Sequence, residues 1–339
     1  MLRRNRAHAT LTAGLAMGFV LRLIGVLVLS PLACLGQAPA NGNVKLAEQA
    51  IPCTLLQPLV DNARVQAELS RLGGLMVERH QVLPKPELLK HRVRLPLELP
   101  NPATVACEDV ELANRCREAV VVVARLTRLG ASNAWVALPA SGFFISSSGT
   151  FVTSSHVIHD PDYEGMVVLT GDGRVLPVRA VLADDEQCDV AILKADGGPV
   201  TAFPLEASVD VGARVAVMSH PVGRFFTFAQ GVVTRRSLQH EGSHSQEVLE
   251  ISAEFGPGSS GAPVVNQRGS VVGWVNTLRM WPDPAMRGAS TTPTLTFREC
   301  GGAADLLRLV QQIRTGPSRV VAVSDRPPGQ SGASNVNPP

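Results

Sequence analysis

Residues 255 to 263 read Phe255-Gly256-Pro257-Gly258-Ser259-Ser260-Gly261-Ala262-Pro263, a glycine-rich turn that delivers a serine just before a new strand. Glycine lets a backbone turn its N–H groups to one side without steric penalty. A nucleophilic hydroxyl presented in this way needs an imidazole to take its proton, a carboxylate to fix the imidazole tautomer, and backbone donors for the developing oxyanion. The chain offers a match for each. In Thr153-Ser154-Ser155-His156-Val157-Ile158 a histidine follows directly on a predicted strand, although a lone histidine in such a place is most often structural. In Cys188-Asp189-Val190-Ala191-Ile192-Leu193 an acid opens a nearly continuous apolar strand, where an ionised carboxylate is costly unless something pairs with it. Asp184 and Asp185 fall in a polar turn and read as solvated surface. His156, Asp189 and Ser260 are therefore the expected catalytic residues, as base, orienting acid and nucleophile.

Outward from these motifs the text is a series of short β-rich runs separated by Gly and Asp-Gly turns. The first set covers 119–126, 142–146, 150–154, 166–170, 175–182 and 189–194; after a polar gap the second covers 214–219, 225–234, 248–253, 262–265, 271–276 and 294–297. One helix closes the series, with Leu306, Leu307, Leu309, Val310 and Ile313 at helical spacing. Two successive sets of six strands predict an all-β fold of two six-stranded antiparallel barrels with a C-terminal helix. His156 and Asp189 then come from the first barrel, Ser260 from the second, and the reacting atoms meet in the cleft between them.

This order of motifs resembles the trypsin-like, chymotrypsin-fold serine peptidases of the HtrA/Do-like branch. Ser141-Gly142-Phe143-Phe144-Ile145, Thr153 to Val157, Asp189 to Leu193 and Gly258 to Pro263 each fall where that family has them. The resemblance spans 117–314. It implies a serine endopeptidase acting on polypeptides, such as exported or misfolded proteins, through an acyl-enzyme and with no cofactor. It implies an oxyanion hole at the N–H groups of Gly258 and Ser260, and a substrate-pairing strand at Trp274, Val275 and Asn276 opposite the hairpin that runs from His220-Pro221-Val222-Gly223. Glu254, six residues before Ser260, falls where trypsin-like enzymes place a pocket-floor residue; an acid there favours a Lys or Arg side chain, and a solvated Glu is the plainer reading. Ser259 and Ala262 replace the branch's usual Asn and second Gly. Too few residues follow the terminal helix for a PDZ module, so none is expected. The alternative function is a dormant peptidase fold that serves as a peptide-binding or chaperone-like scaffold.

His240-Glu241-Gly242-Ser243-His244 matches H-E-x-x-H, whose zinc chemistry needs both histidines on one helix face. Gly242 disfavours a helix, no apolar stripe flanks the segment, and it falls between two strands of the second barrel. A loop without metal is expected there.

The 339 residues suffice for a real core, and 45% apolar with 18% charged residues excludes both a disordered chain and a multi-span membrane protein. The formal charge of +2 includes Arg3, Arg4, Arg6 and Arg22 of an N-terminal leader, so no basic excess points to nucleic acid. That leader, residues 1–40, has a basic start, an apolar run from Leu23 to Leu35 and Ala38-Pro39-Ala40, and reads as a signal peptide. The run is shorter than the about 20 residues a spanning helix needs, so a periplasmic or secreted protein is expected. Membrane attachment arises only through an uncleaved leader or lipidation at Cys34. Export makes disulfides plausible, with Cys107 and Cys116 the easiest pair to close. Residues 41–116 read as an irregular extension with one or two helices, 117–318 as the peptidase domain, and 319–339 as a disordered tail.

Overall fold

The structure, a computed structural model, describes residues 50–57, 59–91, 93, 95–130, 133–241, 244–281 and 295–315. The expected leader and the tail at 319–339 lie outside the described residues, and none of the described helices is long and apolar enough to cross a membrane.

Both barrels form. The first comprises β1 (Val120–Leu129), β2 (Ala134–Ser146), β3 (Thr150–Thr153), β4 (Gly165–Thr170), β5 (Val175–Asp185) and β6 (Val190–Ala195), closed in the order β1-β2-β3-β6-β5-β4. The second comprises β7 (Arg214–Ser219), β8 (Thr227–Glu241), β9 (His244–Ile251), β10 (Pro263–Asn266), β11 (Val271–Trp281) and β12 (Leu295–Gly302), closed in the order β10-β11-β12-β9-β8-β7. All neighbouring strands in both barrels are antiparallel.

The N-terminal extension is more ordered than its Pro-broken text suggests. It supplies three helices, α1 (Asn62–Glu78), α2 (Lys85–Lys90) and α3 (Asp109–Ala119); the last runs into β1, so the boundary expected at 117 falls inside a helix. The Asp61 side chain caps α1 by accepting from the Arg64 N–H at 3.1 Å. Val65, Leu69, Leu72 and Met76 form the buried stripe of α1.

What they bury against explains the uninterrupted apolar start of β1. Side chains alternate across a strand: Val121 and Val123 pack with Phe144, Phe151 and Leu193, whereas Val120, Val122, Ala124 and Leu126 pack in the layer that contains the α1 stripe and, from the second barrel, Ala216, Met218 and Val265. Each such side chain contributes about 1.5–3 kcal/mol relative to exposure. The extension is therefore part of the core that positions the first barrel. Two further helices lie among the described residues, α4 (Ser155–His159) after β3 and α5 (Ala303–Thr315) after β12.

Two expectations are corrected. The polar stretch 235–246 is not a loop: β8 and β9 run through it as a hairpin, with Arg235 paired to Glu250 at 2.6 Å and Arg236 to Glu247 at 2.7 Å. Charge pairs across the strands replace apolar alternation there. His240 is the penultimate residue of β8 and His244 begins β9, so the two histidines of the H-E-x-x-H match lie on different strands and share no helix, in keeping with the sequence reading. Finally, Cys107 and Cys116 are not joined: both are free thiols, as are Cys53 and Cys300. The Cys107 Sγ donates to the Gln267 carbonyl at 3.2 Å, while burial and the neighbouring Cys107 push the Cys116 thiol up to about 12.

Candidate active site

β3 ends at Thr153, and the extended Ser154 leads into α4, whose second residue is His156. The His156 backbone N–H donates to Asp189 Oδ1 at 2.9 Å, and its ring Nδ1 lies 3.0 and 2.9 Å from Oδ1 and Oδ2. The carboxylate thus meets both a backbone donor and the imidazole, which answers the cost of placing it at the mouth of a buried strand. Asp189 itself has φ +52°, a left-handed conformation that aspartate tolerates better than most residues. From the second barrel, the buried Trp274 donates its indole N–H to the Asp189 carbonyl at 3.3 Å.

The serine turn is held from both barrels. Ser259 N–H donates to the Gly256 carbonyl and Ala262 N–H to the Ser259 carbonyl, each at 2.9 Å, while the Ser259 hydroxyl donates to Ser219 Oγ at 2.9 Å. From the first barrel, Ser141 Oγ donates to the Gly258 carbonyl at 2.9 Å and Ser141 N–H to the Ser260 carbonyl at 3.1 Å. Gly258 and Gly261 have φ of +93° and +82°, and a Cβ at Gly261 would stand 2.6 Å from the Ser141 carbonyl. Any side chain there would push the barrels apart. Ala262 is absent from the positive-φ residues, so its replacement of a glycine leaves the turn unstrained.

His156 and Ser260 line one groove of about 290 Å³ together with Phe255, Gly256, Pro257, Val275, Asn276, Thr277 and Leu278. Among the described residues no hydrogen bond joins Ser260 Oγ to the His156 ring, and the N–H groups of Gly258 and Ser260 have no protein acceptor. Glu254 stands elsewhere: its side chain is 85% exposed and meets Arg298 at 3.4 Å, while the next residue, Phe255, faces the groove. Trp274 lies beneath Asp189 and does not line the groove, whereas Val275 and Asn276 do.

Two features escaped the sequence. His220 is wholly buried against Phe225 and Phe226, and burial pushes its imidazole down to about 3, with Arg117 acting in the same direction and the Val121 carbonyl opposing. The only advance signal was its place in the His220-Pro221 turn. Near the groove, His159 Nε2 lies 2.8 Å from Asp184 Oδ2 and 3.7 Å from Glu186 Oε1, and Ser155 Oγ donates to Asp184 Oδ1 at 2.7 Å. These ligand-type atoms of His159, Asp184 and Glu186 are the one cluster among the described residues close enough to hold a metal ion. The Asp184 carboxylate, hydrogen-bonded to both Ser155 and His159, holds the two ends of α4.

Two closed six-stranded barrels, with a histidine and an aspartate from one facing a serine turn from the other, define the trypsin-like serine peptidase class. Residues 140–273 match the trypsin-like peptidase domain family. It is 32% identical over 145 residues to a probable periplasmic serine endoprotease, DegP-like, of Rhizobium meliloti, covering 42% of this chain and 28% of that protein. It is 35% identical over 137 residues to a DegP-like protein of Pseudomonas fluorescens, again with 28% of that protein covered. The chain therefore spans well under half the length of these relatives. Among solved structures, the HtrA-type protease AlgW with a tripeptide shares the fold, with TM-score 0.50, 18% identity, and 62% of this chain and 64% of that chain covered.

Proposed function

We propose that the chain is a serine endopeptidase that cleaves polypeptides in the periplasm, exported or misfolded proteins among them, through Ser260, His156 and Asp189. The observation that carries this reading is the two-oxygen contact of Asp189 with His156 Nδ1, in a groove that the imidazole shares with Ser260. Asp189 fixes the tautomer with its proton on Nδ1, which leaves Nε2 as the base. Nε2 takes the Ser260 hydroxyl proton as Oγ attacks the scissile carbonyl carbon, and the oxyanion is held by the N–H groups of Gly258 and Ser260. The imidazolium then protonates the departing amine, leaving an acyl-enzyme. Water, deprotonated by the same Nε2, hydrolyses the ester and returns Ser260.

The substrate backbone has a place to lie. Beyond Trp274 the strand β11 pairs with β12 on one side, while its pairing with β10 ends at Trp274, so among the described residues the 276–278 edge has no strand partner and can accept an extended peptide. Phe255, Val275 and Leu278 wall the adjoining pocket, which suits an apolar side chain at the cleaved bond; Glu254, turned toward Arg298, does not supply a basic preference.

The missing Ser260–His156 hydrogen bond favours a second reading, a dormant fold that binds peptides without cleaving them. Such bonds are often long in unliganded enzymes and tighten in the complex. Fluorophosphonate labelling decides between the two. The peptidase reading expects covalent labelling that Ser260→Ala abolishes, and cleavage of a peptide library after apolar residues. Labelling no greater than that of Ser260→Ala would establish the dormant reading.

A further inference from the structure

The segment between β7 and β8 braces the serine turn. Val222 N–H donates to the Pro257 carbonyl at 2.7 Å, and the His220 carbonyl lies 2.7 Å from where a Cβ on Gly258 would stand. This brace is itself in an unfavourable conformation. Val222 has φ +46° and ψ +36°, and Phe226 has φ +58°. A β-branched and an aromatic residue in the left-handed region are both unfavourable, so such a loop persists only where its surroundings hold it.

Much of what holds it comes from α1 and α3. Phe225 N–H donates to Asn62 Oδ1 at 3.0 Å, across 163 positions of sequence. The Arg117 guanidinium lies 4.5 Å over the Phe226 ring and donates to the Leu56 carbonyl. Phe226 N–H is taken by His220 Nδ1 at 3.0 Å. Asn62 is exposed and opens α1, but Asp61 already caps that helix, so the Asn62 amide is not required by α1 itself. Its partner is the loop.

We infer that α1 acts as a built-in strap: Asn62 is a positioning residue that holds the 220–226 loop, and through Val222 and Pro257 it sets the aim of the Gly258 and Ser260 N–H groups. The strap acts on the oxyanion donors and so rests on the proposed peptidase reading. Its consequence is that the extension controls turnover without touching substrate.

The test compares Asn62→Ala with Asn62→Asp, which keeps an acceptor for Phe225 N–H. Asn62→Ala should slow fluorophosphonate labelling and kcat by at least about tenfold, a part of the 10²–10³ that outright loss of one oxyanion donor costs, with KM for a peptide substrate little changed. Asn62→Asp should restore the rate. In hydrogen exchange, the amides of Val222 and Ser259, neither of which bonds to Asn62, should lose protection in Asn62→Ala. Labelling, kcat and protection in Asn62→Ala equal to those of the wild type would overturn the strap, as would an Asn62→Asp no better than the alanine variant. Should the wild type itself fail to label, the peptidase reading falls alone. The strap then stands or falls on the exchange of Val222 and Ser259.

Discussion

The indole N–H of Trp274, on the second barrel, donates to the backbone carbonyl of Asp189, at the edge of the first, at 3.3 Å. The bond fixes a residue whose φ of +52° departs from ordinary strand geometry, and it couples the carboxylate that orients His156 to the strand that walls the groove. Trp274→Phe keeps most of the buried ring and removes the donor. A net hydrogen bond contributes about 0.5–1.5 kcal/mol, so kcat should fall by roughly three- to tenfold, with KM held. Steady-state kinetics on a peptide substrate reads this directly. An unchanged kcat would show that Asp189 keeps its aim without the indole.

The buried His220 ties stability to acidity. Its imidazole is pushed down to about 3 in the folded protein, against about 6.5 in an unfolded chain. Between those values the unfolded chain binds a proton that the folded protein refuses. Stability should therefore decline as pH falls from about 6.5 toward 3, by at most about 1.4 kcal/mol per unit from this group, and be indifferent to it above that window. His220→Gln keeps an acceptor for Phe226 N–H and removes the titration. Denaturant midpoints measured between about pH 4 and 7 should slope more steeply for the wild type than for the variant. Parallel slopes would place the acid sensitivity elsewhere.

The candidate site could be proposed from the sequence because each part of it is local. His156 follows just after a strand, Asp189 comes immediately before one, and Ser260 sits in a turn whose glycines announce it; β7 matches its expected span, Arg214–Ser219. The parts that stayed hidden depend on distant partners. Nothing in Val120 to Val123 says that a helix some fifty residues earlier covers one face of the strand, although the lack of alternation was the clue that both faces are buried. The hairpin at 235–246 looked like a loop because ion pairs, not apolar residues, hold its strands. Glu254 and Phe255 differ by one position, and in extended backbone that is enough to exchange groove for solvent. Asn62 has no motif at all.

The seat of α1 on the first barrel gives a test in which helix propensity and packing disagree. Gly73 and Gly74 fall within the helix, where replacing glycine by alanine ordinarily gains about 1 kcal/mol. A Cβ at Gly74 would stand 2.3 Å from the indole of Trp135, and one at Gly73 would stand 2.5 Å from Leu126 Cδ2. Trp135 is poorly placed to yield, since its Nε1–H donates to Glu78 at 2.9 Å and the Arg128 guanidinium lies 4.3 Å over its ring. Overpacking costs about 1–3 kcal/mol, so Gly74→Ala should lower the unfolding midpoint despite its better propensity. In a Trp135→Ala background the same substitution should become neutral or stabilising, because the obstructing ring is gone and the two residues couple only through contact. A stabilising Gly74→Ala in the wild-type background would mean that α1 can lift from the barrel at little cost, and with it the end of the helix that carries Asn62.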